Sequence, residues 1–571
     1  MSHLVSLVNP NQVQPGITPY ALDVLTTHLE RAGFTVEVLD LTFPDRSWQA
    51  EVEDYFAGRN PILVGVTLRN TDTVVPQEQR TFLEDHRAII DAIKRSCTSP
   101  IVVGGVGYSS MPSAMLRYLQ VPFGVAGPGE VTLVELANAI AAGSTPDSVP
   151  GLHILDGSTV RKAPTTRASS RTTADAWLAL NEGVAYDRRS HQAFRVDNRK
   201  YYERGGLGNI LTKNGCPLDC VHCSEPFAKG QTLSRRTVKA VVDEMEQLTD
   251  QGVLDLHTTD SEFNVGIGHA KQVLKEIIVR RRRDSGCSLN RLKLWTYLQP
   301  RPFDEELAVL LREAGCKGAS VGSDHTNPEI LAGFKLTQAG KPFYGLDDIR
   351  ETNRLLMENG MLVTQELILG MPGETLETMR QCIDDMLALN STVLGITFGL
   401  KVFPHTPFGR RLARQSDGKP IPGLQSNAAI GPITLLPLEK CRDVEHYERQ
   451  FMFDENGRIR PIFYFSPDLP EDPENIADPS GRWRRSIEFI WDHIPKAEHY
   501  RVSLPTLPGD SKDDNNYADN PFLKCWVSLG YRGAFYSKWR ERDQIIQEAI
   551  DKGIARMGPD KKLIFEGAPA V

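Results

Sequence analysis

The run Cys216-Pro-Leu-Asp-Cys220-Val-His-Cys223 limits what this chain can become more than any other stretch, because three thiols fall at the spacing C-x3-C-x2-C. Three thiolates on one loop can each hold one iron of a [4Fe–4S] cluster and leave the fourth iron without a cysteine. A structural zinc is the nearest rival, but it wants four ligands, commonly from two paired C-x2-C knuckles. No second knuckle exists in this sequence. Cys97, Cys287, Cys316, Cys382, Cys441 and Cys525 stand alone and are expected to be plain thiols. Nine cysteines in 571 residues are too sparse for a disulfide framework, so a reducing, cytoplasmic setting is expected.

Around that loop the chain alternates strands and helices. HLVSLVNP, TVEVLDL, PILVGVTL, PIVVGG and the segment around GVAGPGE read as five strands of an α/β, doubly wound sheet over residues 1–150. Continuous apolar runs such as PILVGVTL are the mark of buried parallel strands, and such sheets bind ligands outside the carboxyl ends of their strands. Residues 151–204, with the polar stretch APTTRASSRTT, read as a surface linker. Six further strands, GNILTKNGC, VLDLHTTDSEFN, RLKLWTYLQP, KGASVGSDH, LVTQELILGMPGE and GITFGLKVFPHTP, alternate with helical stretches over 205–415. They predict a partial βα barrel whose reactive rim lies at the strand carboxyl ends. Residues 416–571 are Pro- and aromatic-rich with a few helices and read as a mostly helical or irregular cap, with Trp483, Trp491, Trp526 and Trp539 in its core and Arg281-Arg282-Arg283 as a solvated helix end of the barrel. The net charge of −8 argues against a nucleic-acid partner held by bulk electrostatics. No apolar run reaches the roughly 20 residues of a membrane span, and MSHLVSLVNPNQ lacks the basic n-region of a secretory leader.

A cysteine triad at this spacing, directly after the first strand of a βα barrel, resembles the radical S-adenosylmethionine (SAM) superfamily. The resemblance implies that Asp260-Ser261-Glu262-Phe263-Asn264, ending the second barrel strand, reaches the SAM amino group. It places Gly322-Ser323-Asp324 after the fourth strand, with Ser323 a cofactor contact, and Gly370-Met371-Pro372-Gly373-Glu374-Thr375 after the fifth. Phe403-Pro404-His405-Thr406-Pro407 follows the sixth, with Phe403 and Pro404 at the adenosine. One position departs from the pattern: His222 stands where an aromatic residue usually precedes the third cysteine.

A doubly wound domain ahead of such a barrel resembles the cobalamin-dependent branch. The matching residues are Leu68-Arg69-Asn70, then Gly104-Gly105-Val106-Gly107-Tyr108-Ser109-Ser110, then Gly127-Pro128-Gly129-Glu130. The glycines are expected to let a planar ligand approach the backbone, and the hydroxyls of Ser109 and Ser110 to bond its nucleotide tail. The cobalt-ligating pattern Asp-x-His-x-x-Gly is absent, since residues 1–150 hold only His3, His28 and His86. Arg69 is expected beneath the corrin, where a guanidinium cannot ligate metal, so the lower face is left open and cob(I)alamin is favoured.

A [4Fe–4S] cluster, SAM and cobalamin together imply methylation of an atom that ordinary SAM methyltransferases cannot reach. The overall pattern, including Phe463-Tyr464-Phe465-Ser466-Pro467 in the cap, is similar to the tryptophan 2-C-methyltransferases of thiopeptide biosynthesis. The resemblance implies polar transfer of methyl from SAM through cob(I)alamin and methylcobalamin to C2 of the indole of free tryptophan. The rival is radical chemistry of the same branch at an unactivated carbon of another natural product. Attack by C2 is helped by removing the indole N1 proton, and Tyr297 is the candidate acid/base for it, with the SAM carboxylate as alternative. Glu262 either holds the SAM ammonium or occupies the open iron. A monomer with an external reductant for cobalamin is expected.

Overall fold

β-branched runs without a charge, such as Leu63-Val-Gly-Val-Thr67, have no face to offer water, so they fold where helices cover both sides. In the computed structural model they build a seven-stranded sheet of β1 (Leu4–Asn9), β2 (Thr35–Asp40), β3 (Leu63–Thr67), β4 (Ile101–Gly104), β5 (Phe123–Val125), β6 (Leu152–Asp156) and β7 (Thr159–Lys162). Its order is 2-1-3-4-5-6-7, and β1 to β5 are parallel. The structure describes the chain apart from residues 1–2, 78–79, 164–176, 178–179, 191, 338, 427–430, 475–480, 506–519, 560–561 and 568–571.

The sheet does not end at residue 150. β6 pairs antiparallel with β5, and β7 with β6, so the first dozen residues assigned to a linker complete the edge of the sheet. Their pattern LHILD-GS-TVRK is a short hairpin, with Gly157 at φ +56° in its turn. Most of the polar stretch APTTRASSRTT lies outside the described residues.

All six expected barrel strands form, as Gly208–Ile210, Asp255–Thr258, Lys293–Leu298, Cys316–Asp324, Leu362–Leu369 and Val393–Phe398, each parallel to the next. The open edge of the sixth is paired by a seventh, Val502–Ser503, which comes from the region assigned to the cap. A bare sheet edge invites non-native pairing, and this strand covers it. In the remainder of the C-terminal region Trp526 and Trp539 are buried with Phe522 and Tyr536 against Trp295, while Trp491 is only half-buried. Trp483 stacks on Phe465, ring centroids 4.8 Å apart. Arg282 ends its helix in an exposed pair with Glu313. Among the described residues, no helix is long and apolar enough to cross a membrane.

Buried charge fixes the first sheet onto the barrel. Arg188, fully buried, donates to Asp23 (2.6 Å), Asn198 Oδ1 (2.9 Å) and the Asn209 carbonyl (2.8 Å), tying the segment between the domains to the first helix and the first barrel strand. A second buried pair joins Asp72 to Lys401. Removing one partner of a buried pair leaves the other uncompensated, so Arg188→Met is expected to lower unfolding free energy by about 3–5 kcal/mol. Burial already lifts the Asp23 carboxyl from 3.8 to about 6 against the pull of Arg188, and the variant lifts it further. A carboxyl raised by folding weakens the fold as pH climbs from its unfolded to its folded value; wild type has already ionised near 6, so the deficit of the variant in urea titrations grows as pH rises above about 6.

Candidate active site

The cysteine loop is held in shape by its backbone. Cys216 N–H donates to Gly230 O (3.0 Å), Cys223 N–H to Cys220 O (3.1 Å), and Val221 N–H to Phe334 O (3.0 Å). The three thiols lie near one another, Cys216 buried and Cys220 and Cys223 half-buried. Burial, then mutual repulsion with Cys220 and the nearby Glu262, pushes the Cys216 thiol up to about 11, and burial also raises Cys220 and Cys223. Thiols held this high ionise only when cations are bound among them. Among the described residues no three His, Cys, Asp or Glu side chains converge where a single ion could sit. Thiolates that each take a different iron need not converge, so the loop fits a cluster better than a zinc ion. His222 is not the solvated loop residue its position allows: burial lowers its pKa to about 4 and keeps the ring neutral, 5.9 Å from Phe334.

Glu262 stands beside this loop. Its Oε1 accepts from Gln299 Nε2 (2.7 Å), while Oε2 is buried without a partner. Burial raises the carboxyl to about 7, opposed by the ammonium of Lys335. An unpartnered buried oxygen here is an acceptor waiting for an ammonium or a metal. Asp260, by contrast, is fully engaged, taking Thr212 N–H and Oγ1 and Lys213 N–H and Nζ. It locks the first barrel strand to the second and so aims the cysteines. Ser323 is also engaged: it is buried and donates to Gln365 Oε1 at 2.5 Å, which commits its one proton. Phe403 is half-buried, and Pro404 presents its carbonyl to Tyr447 OH (2.6 Å) at the start of the helix Pro407–Ser416.

Across from the cysteines, the carboxyl ends of β1, β3, β4 and β5 open into an apolar cavity of about 190 Å³. Gly104, Gly105, Gly127, Gly129 and Glu130 line it, as expected, together with Leu7, Gly65, Leu25 and, from the barrel side, Ala228. Gly127 faces the cysteine region directly, since a Cβ there would lie 3.6 Å from Phe227 O. Glu130 accepts from Trp177 Nε1 (3.0 Å) through Oε1, and its Oε2 is buried without a partner. Among the described residues no histidine lines the cavity.

Six of the expected residues do not line this cavity: Arg69, Asn70, Gly107, Tyr108, Ser109 and Ser110. Tyr108 is core, its ring filling the space a side chain at Gly124 would need. Ser109 donates to Gly105 O (2.8 Å) and accepts from Gly127 N–H (3.0 Å), and Ser110 donates to Gly107 O (3.0 Å). Gly105 and Gly107 are small for the loop after β3 rather than for a ligand: at Gly105, φ +102°, a Cβ would sit 2.5 Å from Leu68 O. That contact seats Leu68-Arg69-Asn70 at the β1/β3 switch point, where a doubly wound sheet takes its ligand. The Asn70 amide brackets Arg69, accepting from Nη1 at 3.2 Å and donating to the Arg69 carbonyl at 2.9 Å.

The loop after Arg69 runs on to the barrel and closes a second cavity of about 160 Å³, lined by Thr73 and Gln77, by Tyr297, Thr364 and Glu366, and by Phe535 of the cap. Tyr297 is thus inside a cavity, its ring 4.8 Å from that of His257. Glu366 and Thr364 were not foreseen. The signal was present, a charge and two polar residues inside the apolar strand LVTQELIL.

Comparison with known proteins agrees with this layout. The Radical SAM superfamily pattern matches residues 210–386, and the B12 binding domain pattern matches 11–137. Tryptophan 2-C-methyltransferase of Streptomyces laurentii is 49% identical over 95% of this chain and 97% of its own. The radical SAM methyltransferase TsrM from Kitasatospora setae, solved with cobalamin and a [4Fe–4S] cluster, superposes with a TM-score of 0.91 at 51% identity, over 97% of this chain and 100% of that one. The same protein has been solved with tryptophan and a SAM analogue. OxsB, a cobalamin-dependent SAM radical enzyme, shares the fold at a TM-score of 0.51 and 15% identity. With full-length identity near one half and the sheet, cysteine loop and barrel in the same order, this chain belongs to the tryptophan 2-C-methyltransferase family of cobalamin-binding radical SAM proteins.

Proposed function

We propose that the chain methylates C2 of the indole of free L-tryptophan, with SAM as methyl donor, in the making of a thiopeptide quinaldic acid unit. The observation that carries this reading is the cavity that joins Tyr297 to the loop bearing Arg69, in a chain matching tryptophan 2-C-methyltransferase along nearly its whole length. Cys216, Cys220 and Cys223 would hold the cluster, and the apolar cavity at the ends of β1 to β5 would take the nucleotide tail of cobalamin. Bound together, cluster, cobalamin and SAM supply methyl transfer by way of cobalt.

The chain's own residues do the rest. Glu262, with its free Oε2, would fill the open cluster position or hold the SAM ammonium, and Gln299 orients it. Arg69, braced by Asn70, would keep the lower cobalt face clear of ligands. Tyr297, as its phenolate, would accept the indole N1 proton as C2 becomes nucleophilic, becoming the neutral phenol, with the SAM carboxylate as the alternative acceptor. The reading includes a monomer in the cytoplasm served by an external reductant. Reconstituted protein given SAM, methylcobalamin and tryptophan should yield 2-methyltryptophan by mass, with 5′-deoxyadenosine near zero per methyl transferred. One or more 5′-deoxyadenosine per methyl would replace the polar route with the radical one. With no histidine lining the cavity, the electron paramagnetic resonance of the cob(II)alamin form should lack strong nitrogen superhyperfine splitting. A clear triplet pattern would contradict an open lower face.

A further inference from the structure

The second cavity carries charge that nothing so far uses. Strand register sets Tyr297, Ser320 and Thr364 side by side in one row across the barrel. Glu366 lies two residues along the same strand face as Thr364, opposite Gly395, which has no side chain to fill the space beside it. Ser320 Oγ donates to Glu366 Oε1. Thr364 Oγ1 is buried, lines the cavity and has no partner. Among the described residues Glu366 is the one carboxyl that lines the cavity, and no Lys, Arg or His lines it. No ion pair to Glu366 is formed among the described residues. Lys335, which faces Asp324 and Glu262, is paired with Asp324 at 3.0 Å. Asp324 and Glu262 add to the negative field here.

A carboxylate set in such a place is costly unless a cation or proton meets it. The hydroxyl row cannot do so, because hydroxyls carry no charge. A ligand ammonium would answer both needs, pairing with the carboxylate and donating a second hydrogen bond to Thr364 Oγ1. We propose that Glu366, with Thr364, is the subsite for the α-ammonium of the amino-acid substrate, and that the substrate carboxylate has no charged partner in this cavity. The inference rests on the reading of the substrate as tryptophan and names which of its groups the barrel recognises. It makes the cavity selective for indolyl amines rather than indolyl acids. Burial holds the Glu366 carboxyl above its ordinary range, which is the state a bound ammonium would relieve.

The test is ligand binding to the reconstituted holoenzyme by calorimetry, with tryptophan, tryptamine and indole-3-propionate as probes. Wild-type protein should hold tryptamine nearly as well as tryptophan, and indole-3-propionate at least about tenfold more weakly, the worth of a charge-assisted hydrogen bond. Glu366→Gln should bring the three affinities together and raise KM for tryptophan by about tenfold or more, with kcat changed less. Its affinity for SAM should stay at the wild-type value, and its cobalamin content and iron content should confirm that it is folded. Glu366→Asp should recover part of the preference. If wild-type protein binds and methylates tryptophan but Glu366→Gln keeps the amine preference, the subsite is elsewhere. If Glu366→Gln loses SAM instead of tryptophan, Glu366 belongs to SAM and the inference fails. If wild-type protein binds none of the three probes, the tryptophan reading itself falls first.

Discussion

Replacing Cys216, Cys220 and Cys223 together by alanine should abolish the brown absorbance of reconstituted protein, remove about four irons per chain and take methylation below detection. The other six thiols cannot substitute, because they are scattered through separate packing regions: Cys382 and Cys525 are buried in cores, and Cys316 points its thiol to Gly318 O. The variant should nonetheless fold. The loop is shaped by main-chain hydrogen bonds to Gly230, Phe334 and Cys220, none of which needs a sulfur. The proposed cobalamin site lies at the ends of β1 to β5, so cobalamin binding should survive within about twofold, a change of under 1 kcal/mol. Glu262 helps to raise the Cys216 thiol, so removing the thiols takes away a neighbour of Glu262 and strands no new charge. Iron analysis and the ultraviolet–visible spectrum decide the outcome. A full iron complement in the triple variant would end the assignment of these residues.

How far the sequence alone reaches is clearest at the ends of strands. Every barrel strand was legible, because runs such as RLKLWTYL and LVTQELIL are long, apolar and bounded by turns. The seventh strand, Val502–Ser503, was not: two residues carry no periodicity, and only the open edge of Val393–Phe398 makes them a strand. The hairpin of β6 and β7 was read as linker because its outer strand, TVRK, is polar on an exposed edge. At the site, glycines after strands correctly marked a cavity, but not for which partner. Gly127 opens toward the cysteine region, whereas Gly105 and Gly107 make room for Leu68 and Asn70 of the same sheet. Hydroxyls misled in the same way. Ser109, Ser110 and Ser323 look like ligand contacts in sequence, yet each is used by a nearby backbone or side-chain group. A side chain's type announces which hydrogen bonds it can make, and only the fold shows which of them remain open.

Arg69 is the residue whose replacement should separate charge from ligation. It sits half-buried on the loop at the β1/β3 switch point, held by Asn70 on one side and by the close packing of Gly105 under Leu68 on the other. A guanidinium stays protonated in proteins and offers no lone pair, so in the proposed site Arg69 would bring positive charge to bound cobalamin without coordinating it. Positive charge there favours the more reduced cobalt state, which carries one more negative charge. Lysine keeps the charge while protonated, but a buried amine loses its proton readily and then becomes a ligand. Leucine removes the charge and adds no ligand. Both variants should bind cobalamin, since the apolar cavity lined by Leu7, Gly65 and Gly104 is untouched. Arg69→Lys should lose about tenfold or more in turnover, equivalent to ~1.4 kcal/mol on the barrier, and Arg69→Leu should lose less. The lysine variant should also gain nitrogen splitting in its cob(II)alamin resonance, which leucine cannot produce. Wild-type rates in both, with unchanged spectra, would leave Arg69 a structural residue of the loop and remove it from the chemistry.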